Sequence, residues 1–240
     1  MEIRWNRPDK KNALNNAMYK TATAALERAS GDGAIRVVLL TSSGDTFSSG
    51  NDLGDFAAAA SGGEAPAATG FVRALAAFPK PLVAAVTGLA VGVGMTMLLH
   101  CDLVYVAEDA KLTAPFIELA LVPEAGSTIL LPALLGHGRA FAMFALGEGF
   151  SGVDAQRVGL AKDALPAAEV QVAARKAARR LASRPMGAVM ATKKLMRSKR
   201  ALLSHIDAEL QIFAERLRSA EAAEAFSAFR ERRAPNFADG

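Results

Sequence analysis

Glu124 is the carboxylate whose surroundings suit acid–base chemistry. It stands in Val122-Pro123-Glu124-Ala125-Gly126, after the uncharged run Leu119-Ala120-Leu121. A carboxyl group in an apolar setting holds its proton towards neutrality, which suits it to shuttle one. The same residues also read as a helix start at Ala125, with a first-turn glutamate favoured by the helix dipole. Both can hold together. Glu118 is a rival carboxylate, placed on a solvated face. Upstream, the apolar run Leu82 to Val86 breaks at Thr87-Gly88 into Ala90-Val91-Gly92-Val93-Gly94. A helix beginning near Val93 leaves its first amides free. A second small polar turn, Ser49-Gly50-Asn51-Asp52, follows another apolar run. Two turns, each after a buried strand, can each point one N–H at the same oxygen, as in an oxyanion hole. Plainer readings stand beside this. Gly92 and Gly94 can serve close packing of a buried helix, and Ser/Gly/Asn/Asp clusters are commonly surface turns. Donors for an anion beside one carboxylate point to chemistry on a carbonyl compound.

Other chemistries lack their residues. Gly88 to Gly94 does not spell G-x-G-x-x-G, and no Gly-Lys-Ser/Thr phosphate loop occurs. Gly-x-Ser-x-Gly is also missing. His100, Cys101 and Asp102 are adjacent in sequence, whereas a triad needs convergence in space; Cys101 between apolar runs reads as a small core residue. The three histidines and one cysteine have no zinc spacing, so no metal is expected.

The elements that must position these residues alternate. A polar loop, Asn6 to Asn12, leaves a short first strand. Helical composition runs from Ala13 to about Ala29, with Leu14, Met18, Ala22, Ala25 and Leu26 near one stripe, and Gly31-Asp32-Gly33 stops it. Ile35 to Thr41 suits a strand buried on both faces. Residues 57–69 read as a mobile loop, and a helix from about Ala67 to Phe78 ends at Pro79-Lys80-Pro81. Helices are expected from Ser127 to Gly136 and from Arg139 to Leu146, with a further helix starting at Ser151. From Pro166 on nothing reads as strand: helices are expected over 167–183, 186–198, 202–218 and 220–232. The class is α/β with a helical appendage, divided into residues 1–165 and 166–240.

The totals fit one large domain. The chain has 240 residues, 51% of them hydrophobic. No run is apolar enough to span a bilayer, and the start has no signal-peptide core. One cysteine fits a reducing cytoplasm. The net charge is +4, and residues 175–233 hold 15 Lys and Arg against 6 Asp and Glu. That concentration reads as solvated helix faces or as a surface for a phosphorylated ligand. Aromatics are 6% and do not interleave with the basic residues, which disfavours nucleic acid.

Four segments, spread over the chain in order, resemble the crotonase superfamily, the enoyl-CoA hydratase/isomerase fold. They are Asn6 to Asn15, Phe47 to Leu53, Pro79 to Asp102, and the tail Ser219 to Phe237 with Phe229-Arg230-Glu231-Arg232-Arg233-Ala234-Pro235-Asn236-Phe237. The stretch before Asn6 is shorter than the family's first strand. The resemblance implies a spiral of ββα turns with a helical C-terminal trimerisation region, and an acyl-CoA thioester as partner. It implies that the N–H groups of Asn51 and Val93 polarise the thioester carbonyl. Adenine and pantetheine are then expected along Lys10, Lys11 and Ala13 and along Ser49, Gly50, Asp52 and Leu53, with residues 57–69 at the acyl pocket. Lys or Arg side chains, including those of a neighbouring subunit's tail, would meet the phosphates.

Hydratases of this family carry two glutamates that hold water. The matching positions here are Thr96 and Phe116. Glu124 instead matches the single catalytic glutamate of the peroxisomal-type Δ3,Δ2-enoyl-CoA isomerases. Ser49 to Leu53 and Ala114-Pro115-Phe116 are similar to that subgroup. The resemblance therefore implies an isomerase moving a proton from C2 to C4 with Glu124, without metal or redox cofactor, coenzyme A entering as part of the substrate. Another acyl-CoA reaction (hydration, dehalogenation or thioester hydrolysis) and a non-catalytic CoA-binding protein are the alternatives. The expected setting is cytoplasmic, as a homotrimer or dimer of trimers, with neither nucleic acid nor membrane as partner.

Overall fold

The computed structural model describes residues 1–52, 54–55 and 67–237. Five parallel strands form the main sheet: β1 (Glu2–Trp5), β2 (Val38–Ser42), β3 (Leu82–Val86), β5 (Leu103–Ala107) and β8 (Asp163–Leu165), side by side in the order β1-β2-β3-β5-β8. The register runs Val38 beside Leu82, Val83 beside Leu103 and Tyr105 beside Asp163. β2 and β3 are buried at every residue, as continuous apolar runs in a doubly covered parallel sheet should be.

A second, smaller sheet joins β4 (Leu89–Val91), β6 (Lys111–Thr113) and β7 (Phe150–Ser151). Isolated bridges extend it, Ser48 beside Ala90 and Leu14 beside Asn51. The chain thus leaves each of β1, β2, β3 and β5 to make a partner segment in the second layer. This is the ββα spiral. Gly88, between β3 and β4, has φ +63°, and a Cβ there would stand 1.9 Å from the Asp45 carbonyl oxygen. Only glycine lets the chain cross between layers at that point.

Helix α1 (Asn16–Gly31) begins later than composition suggests. Asn15 caps it, its side chain accepting the Met18 N–H at 2.9 Å. Ala13 and Leu14 are instead extended, because Leu14 bridges Asn51. The fully buried stripe is Tyr19, Ala22, Leu26 and Ala29, with the expected Met18 and Ala25 half-buried against the same core. α2 (Ala68–Ala77) packs against α1. The C-terminal end of α1 is capped by Lys80, which is 6% exposed and donates to the carbonyls of Ala29, Asp32 and Ile35 at 2.5, 2.7 and 2.8 Å. α3 (Val93–Thr96) runs on as a 3₁₀ turn through His100.

α4 (Ser127–Leu135) starts at the expected Ser127 and not at Ala125, because Ala125 and Gly126 have φ +65° and +70°. α5 (His137–Ala145) and α6 (Gly152–Arg157) follow, α6 opened by a Ser151–Asp154 capping box. α7 (Ala167–Ala182) lies across β2, β3 and β5. The chain ends in α8 (Met186–Met196), α9 (Lys199–Leu217) and α10 (Ala220–Glu231). α9 packs on α2 and buries Leu202, Ile206, Glu209 and Phe213, and α10 packs on the 3₁₀ turn Phe116–Leu119. The tail therefore folds back over the end of the spiral.

Candidate active site

The two expected donor turns lie against each other. The Val91 N–H donates to the Ser48 carbonyl at 2.9 Å. A Cβ on Gly94 would stand 2.8 Å from the Ser48 carbonyl oxygen, and one on Gly50 would stand 2.9 Å from that of Val91. These glycines thus serve close packing, and that packing brings the turns together. Leu14 N–H donates to the Gly50 carbonyl and Asp52 N–H to that of Leu14, which leaves the Asn51 N–H facing the other way. Gly92, with φ +54°, turns the chain from β4 into α3, so Val93 opens α3 with its N–H unused by the helix. Among the described residues neither the Asn51 nor the Val93 amide has an acceptor.

Glu124 is 5% exposed. Thr96 Oγ1–H donates to its Oε1 at 2.7 Å. Burial pushes the Glu124 carboxyl up to about 7; the Thr96 bond opposes the rise and the nearby charge of Glu209 adds to it. Glu124 precedes α4 instead of forming its first turn, its carbonyl accepting the Ser127 N–H at 3.1 Å. Burial, more than dipole position, therefore sets its proton affinity.

Tyr19 links the parts, and sequence reasoning passed over it. Its hydroxyl donates to the Asn51 side-chain oxygen in a short bond. Burial raises its pKa well above the usual phenol range, and the charges of Glu124 and Asp55 raise it further. The phenol is thus a protonated group that meets the Asn51 turn and feels the charge of Glu124.

A cavity of about 720 Å³ opens beside these groups, within the range of small-molecule sites. Of the expected substrate-binding residues, Lys10, Ala13, Ser49, Gly50, Asn51 and Asp52 line it. Val93 and Glu124 are not among its lining residues, and Lys11 is exposed while its carbonyl accepts the Ser49 N–H at 3.0 Å. Leu53 and residues 57–66 lie outside the described residues, and 67–69 lead into α2. Asp52 is paired with Arg7 at 2.5 Å, and that guanidinium holds its carboxyl below the usual range. The apolar wall comes from Phe116, Leu119 and Leu121, and from Phe213 of α9 and Phe229 of α10. The tail contributes aromatic rings here; the cations on the wall are Arg7 and Lys10. Glu118 lies on the wall but is exposed.

His100, Cys101 and Asp102 do not form a triad. His100 Nε2 meets the Ala125 carbonyl at 2.7 Å, and burial lowers its pKa to about 4. Burial pushes the Cys101 thiol up to about 12. Asp102 accepts from the Leu82 N–H and from Lys193, both at 2.7 Å. Among the described residues no three His, Cys, Asp or Glu side chains converge on a possible metal position, and no helix is long and apolar enough to cross a membrane.

Comparison with known proteins places the chain. The family model for enoyl-CoA hydratase/isomerase matches residues 1–240. A Rhodobacter capsulatus protein named "Probable enoyl-CoA hydratase" is 36% identical over 240 residues, covering 98% of this chain and 93% of that one. Enoyl-CoA delta isomerase 2 of Rattus norvegicus is 39% identical over 171 residues, 69% of this chain and 44% of that protein. The crystal structure of an enoyl-CoA hydratase/isomerase from Pseudoalteromonas atlantica superposes with a TM-score of 0.93 at 40% identity, over 99% of this chain and 95% of that one. With a matching spiral, paired donor turns and a cavity beside them, the chain belongs to the enoyl-CoA hydratase/isomerase family.

Proposed function

We propose that this enzyme shifts the double bond of a 3-enoyl-CoA to the 2-position, with Glu124 carrying the proton. The observation that carries the reading is the buried Glu124 carboxyl, bonded to Thr96 at 2.7 Å and poised near neutral pH. Thr96 occupies a position where hydratases hold a glutamate, so Glu124 brings a carboxylate to nearly the same place from a different turn. Phe116, at the second such position, is buried and apolar, which disfavours holding a nucleophilic water.

The chemistry follows from these groups. A C2 proton flanked by a thioester and a C3–C4 double bond is acidic, because the anion is a dienolate. Ionised Glu124 takes that proton as the C2–H bond breaks. The electron pair moves into the dienolate, whose oxygen is met by the Asn51 and Val93 amides. The protonated carboxyl then returns the proton to C4 on the same face, leaving the 2-enoyl thioester and an ionised Glu124. Two such donors are each worth about 2.7–4 kcal/mol of barrier. The cations Arg7 and Lys10 at the cavity suit the phosphates of coenzyme A, and no further cofactor enters. α8 presents Leu195 and Met196, 88% and 82% exposed, which supports assembly into a homotrimer or dimer of trimers. The setting we assign is cytoplasmic.

The test is product analysis of the purified chain on a panel of 3-enoyl-CoA and 2-enoyl-CoA esters, by chromatography and mass spectrometry. Mass-neutral conversion of 3-enoyl-CoA to 2-enoyl-CoA supports the reading. Formation of a hydroxyacyl-CoA with no isomerisation, release of free coenzyme A, or tight binding without turnover overturns it.

A further inference from the structure

The turn carrying Glu124 is not self-supporting. Ala125 and Gly126 both lie in the left-handed region, which an alanine occupies only when neighbours hold it there. Two side chains do so. His100 is neutral and fully buried, so its Nε2–H donates to the Ala125 carbonyl at 2.7 Å. From the other side comes Glu209 of α9, 5% exposed. One of its carboxylate oxygens accepts the Gly126 N–H at 2.5 Å. The other accepts the Thr128 N–H at 3.0 Å and the Thr128 hydroxyl at 2.5 Å. A single carboxylate thus bridges the turn and the free amides at the start of α4.

We propose that Glu209 is a positioning residue for the acid–base step, its carboxylate fixing the Ala125–Gly126 turn and so the place from which Glu124 reaches the substrate. A buried carboxylate is costly to keep without strong partners, and Glu209 has them all on one side, at this turn. Its charge also bears on Glu124, whose carboxyl it helps to keep protonated. The other groups around Glu124 do not supply that charge. Thr96 is a neutral donor, Tyr19 on α1 is a protonated phenol, and His100 is neutral. Asp55 acts on Tyr19, and His205, one turn before Glu209 on α9, stands 3.5 Å from the Glu209 carboxylate. The helical tail therefore reaches the chemistry within its own subunit, through Glu209 as well as through the ring of Phe213 one turn further on.

The proposal rests on Glu124 as the acid–base group, and the experiment separates the two. Steady-state kinetics against pH with a 3-enoyl-CoA are measured for the wild type, Glu124→Gln, Glu209→Gln and Glu209→Asp, with circular dichroism to establish folding. Full activity in Glu124→Gln removes the acid–base reading. With Glu124→Gln inactive, Glu209→Gln is expected to lower kcat about 10–100-fold with KM within about twofold. It should also move the acid limb of the profile to lower pH, because a like charge is lost. Glu209→Asp keeps the charge but is too short to bridge both amides, so kcat falls while the limb stays. A folded Glu209→Gln with wild-type kcat and an unmoved limb overturns the proposal. If Glu209→Gln does not fold, wild-type kcat in Glu209→Asp overturns it instead.

Discussion

Replacing Glu124 by glutamine should inactivate this enzyme and stabilise it. The carboxyl is 5% exposed and ionises near pH 7, against an ordinary value of 4.5. Below pH 4.5 the folded and unfolded chains both carry the proton and nothing is lost. Between 4.5 and 7 the unfolded chain releases it first, so unfolding is increasingly favoured. Above 7 the folded chain carries a buried carboxylate at full cost. At about 1.4 kcal/mol for each pH unit between the two values, that cost reaches about 3 kcal/mol. Glutamine keeps the shape and an oxygen for the Thr96 hydroxyl but never ionises. The variant should therefore gain about 1 kcal/mol at pH 5 and about 3 kcal/mol at pH 8 in urea unfolding at fixed protein concentration. Its kcat on a 3-enoyl-CoA should fall about 10²–10⁴-fold, the usual worth of a positioned acid–base group. The wild-type profile should show an acid limb near pH 7, where the base loses its charge. A stability gain equal at both pH values would refute the burial argument. Undiminished turnover would refute the role.

Four other outcomes follow from geometry described here. Gly88→Ala places a Cβ 1.9 Å from a main-chain oxygen at φ +63°, and should cost more than about 4 kcal/mol; soluble yield and circular dichroism read this directly. Asn12→Asp removes the Nδ2–H donors that bind the carbonyls of Ser43 and Thr46 at 2.8 and 2.7 Å. It should lower stability by about 3 kcal/mol at neutral pH, with partial recovery on acidification, measured as urea midpoints. Lys80→Met removes the side-chain donor from three carbonyls at and just beyond the end of α1, of which that of Asp32 keeps the Ile35 N–H, and should cost about 3 kcal/mol, seen in the same assay. Tyr19→Phe cuts the bond to the Asn51 side chain and should lower kcat/KM about fivefold, one neutral hydrogen bond's worth, with unchanged folding by circular dichroism.

Much of the scaffold is written in local pattern. Val38-Leu39-Leu40 and Leu82 to Val86 read as doubly buried strands because a covered parallel sheet leaves no polar face, and both are buried throughout. The paired donor turns were visible as glycine and small polar residues directly after those strands. Tyr19 was not, since an aromatic at a helical core spacing looks the same whether or not its hydroxyl has work. Glu209 was hidden for a different reason. A glutamate in a charged helix reads as solvated, and its burial is decided by where α9 docks, more than eighty residues after the turn it holds. The left-handed Ala125 left no mark either, because alanine carries no preference for that conformation. Thr96 and Phe116 gained meaning only through resemblance.

The contact between Gly94 and Ser48 has a further consequence. The Asn51 and Val93 turns meet there as main chain packed on main chain. Their spacing is settled when the protein folds, because a Cβ at position 50 or 94 would stand 2.9 or 2.8 Å from a main-chain oxygen. Two turns seated on each other in this way are a fixed fitting. On the proposed reading, a carboxylate moves from the place of Thr96 to that of Glu124 without rebuilding those turns. Such an arrangement lets one spiral change its reaction by changing only where its proton carrier stands.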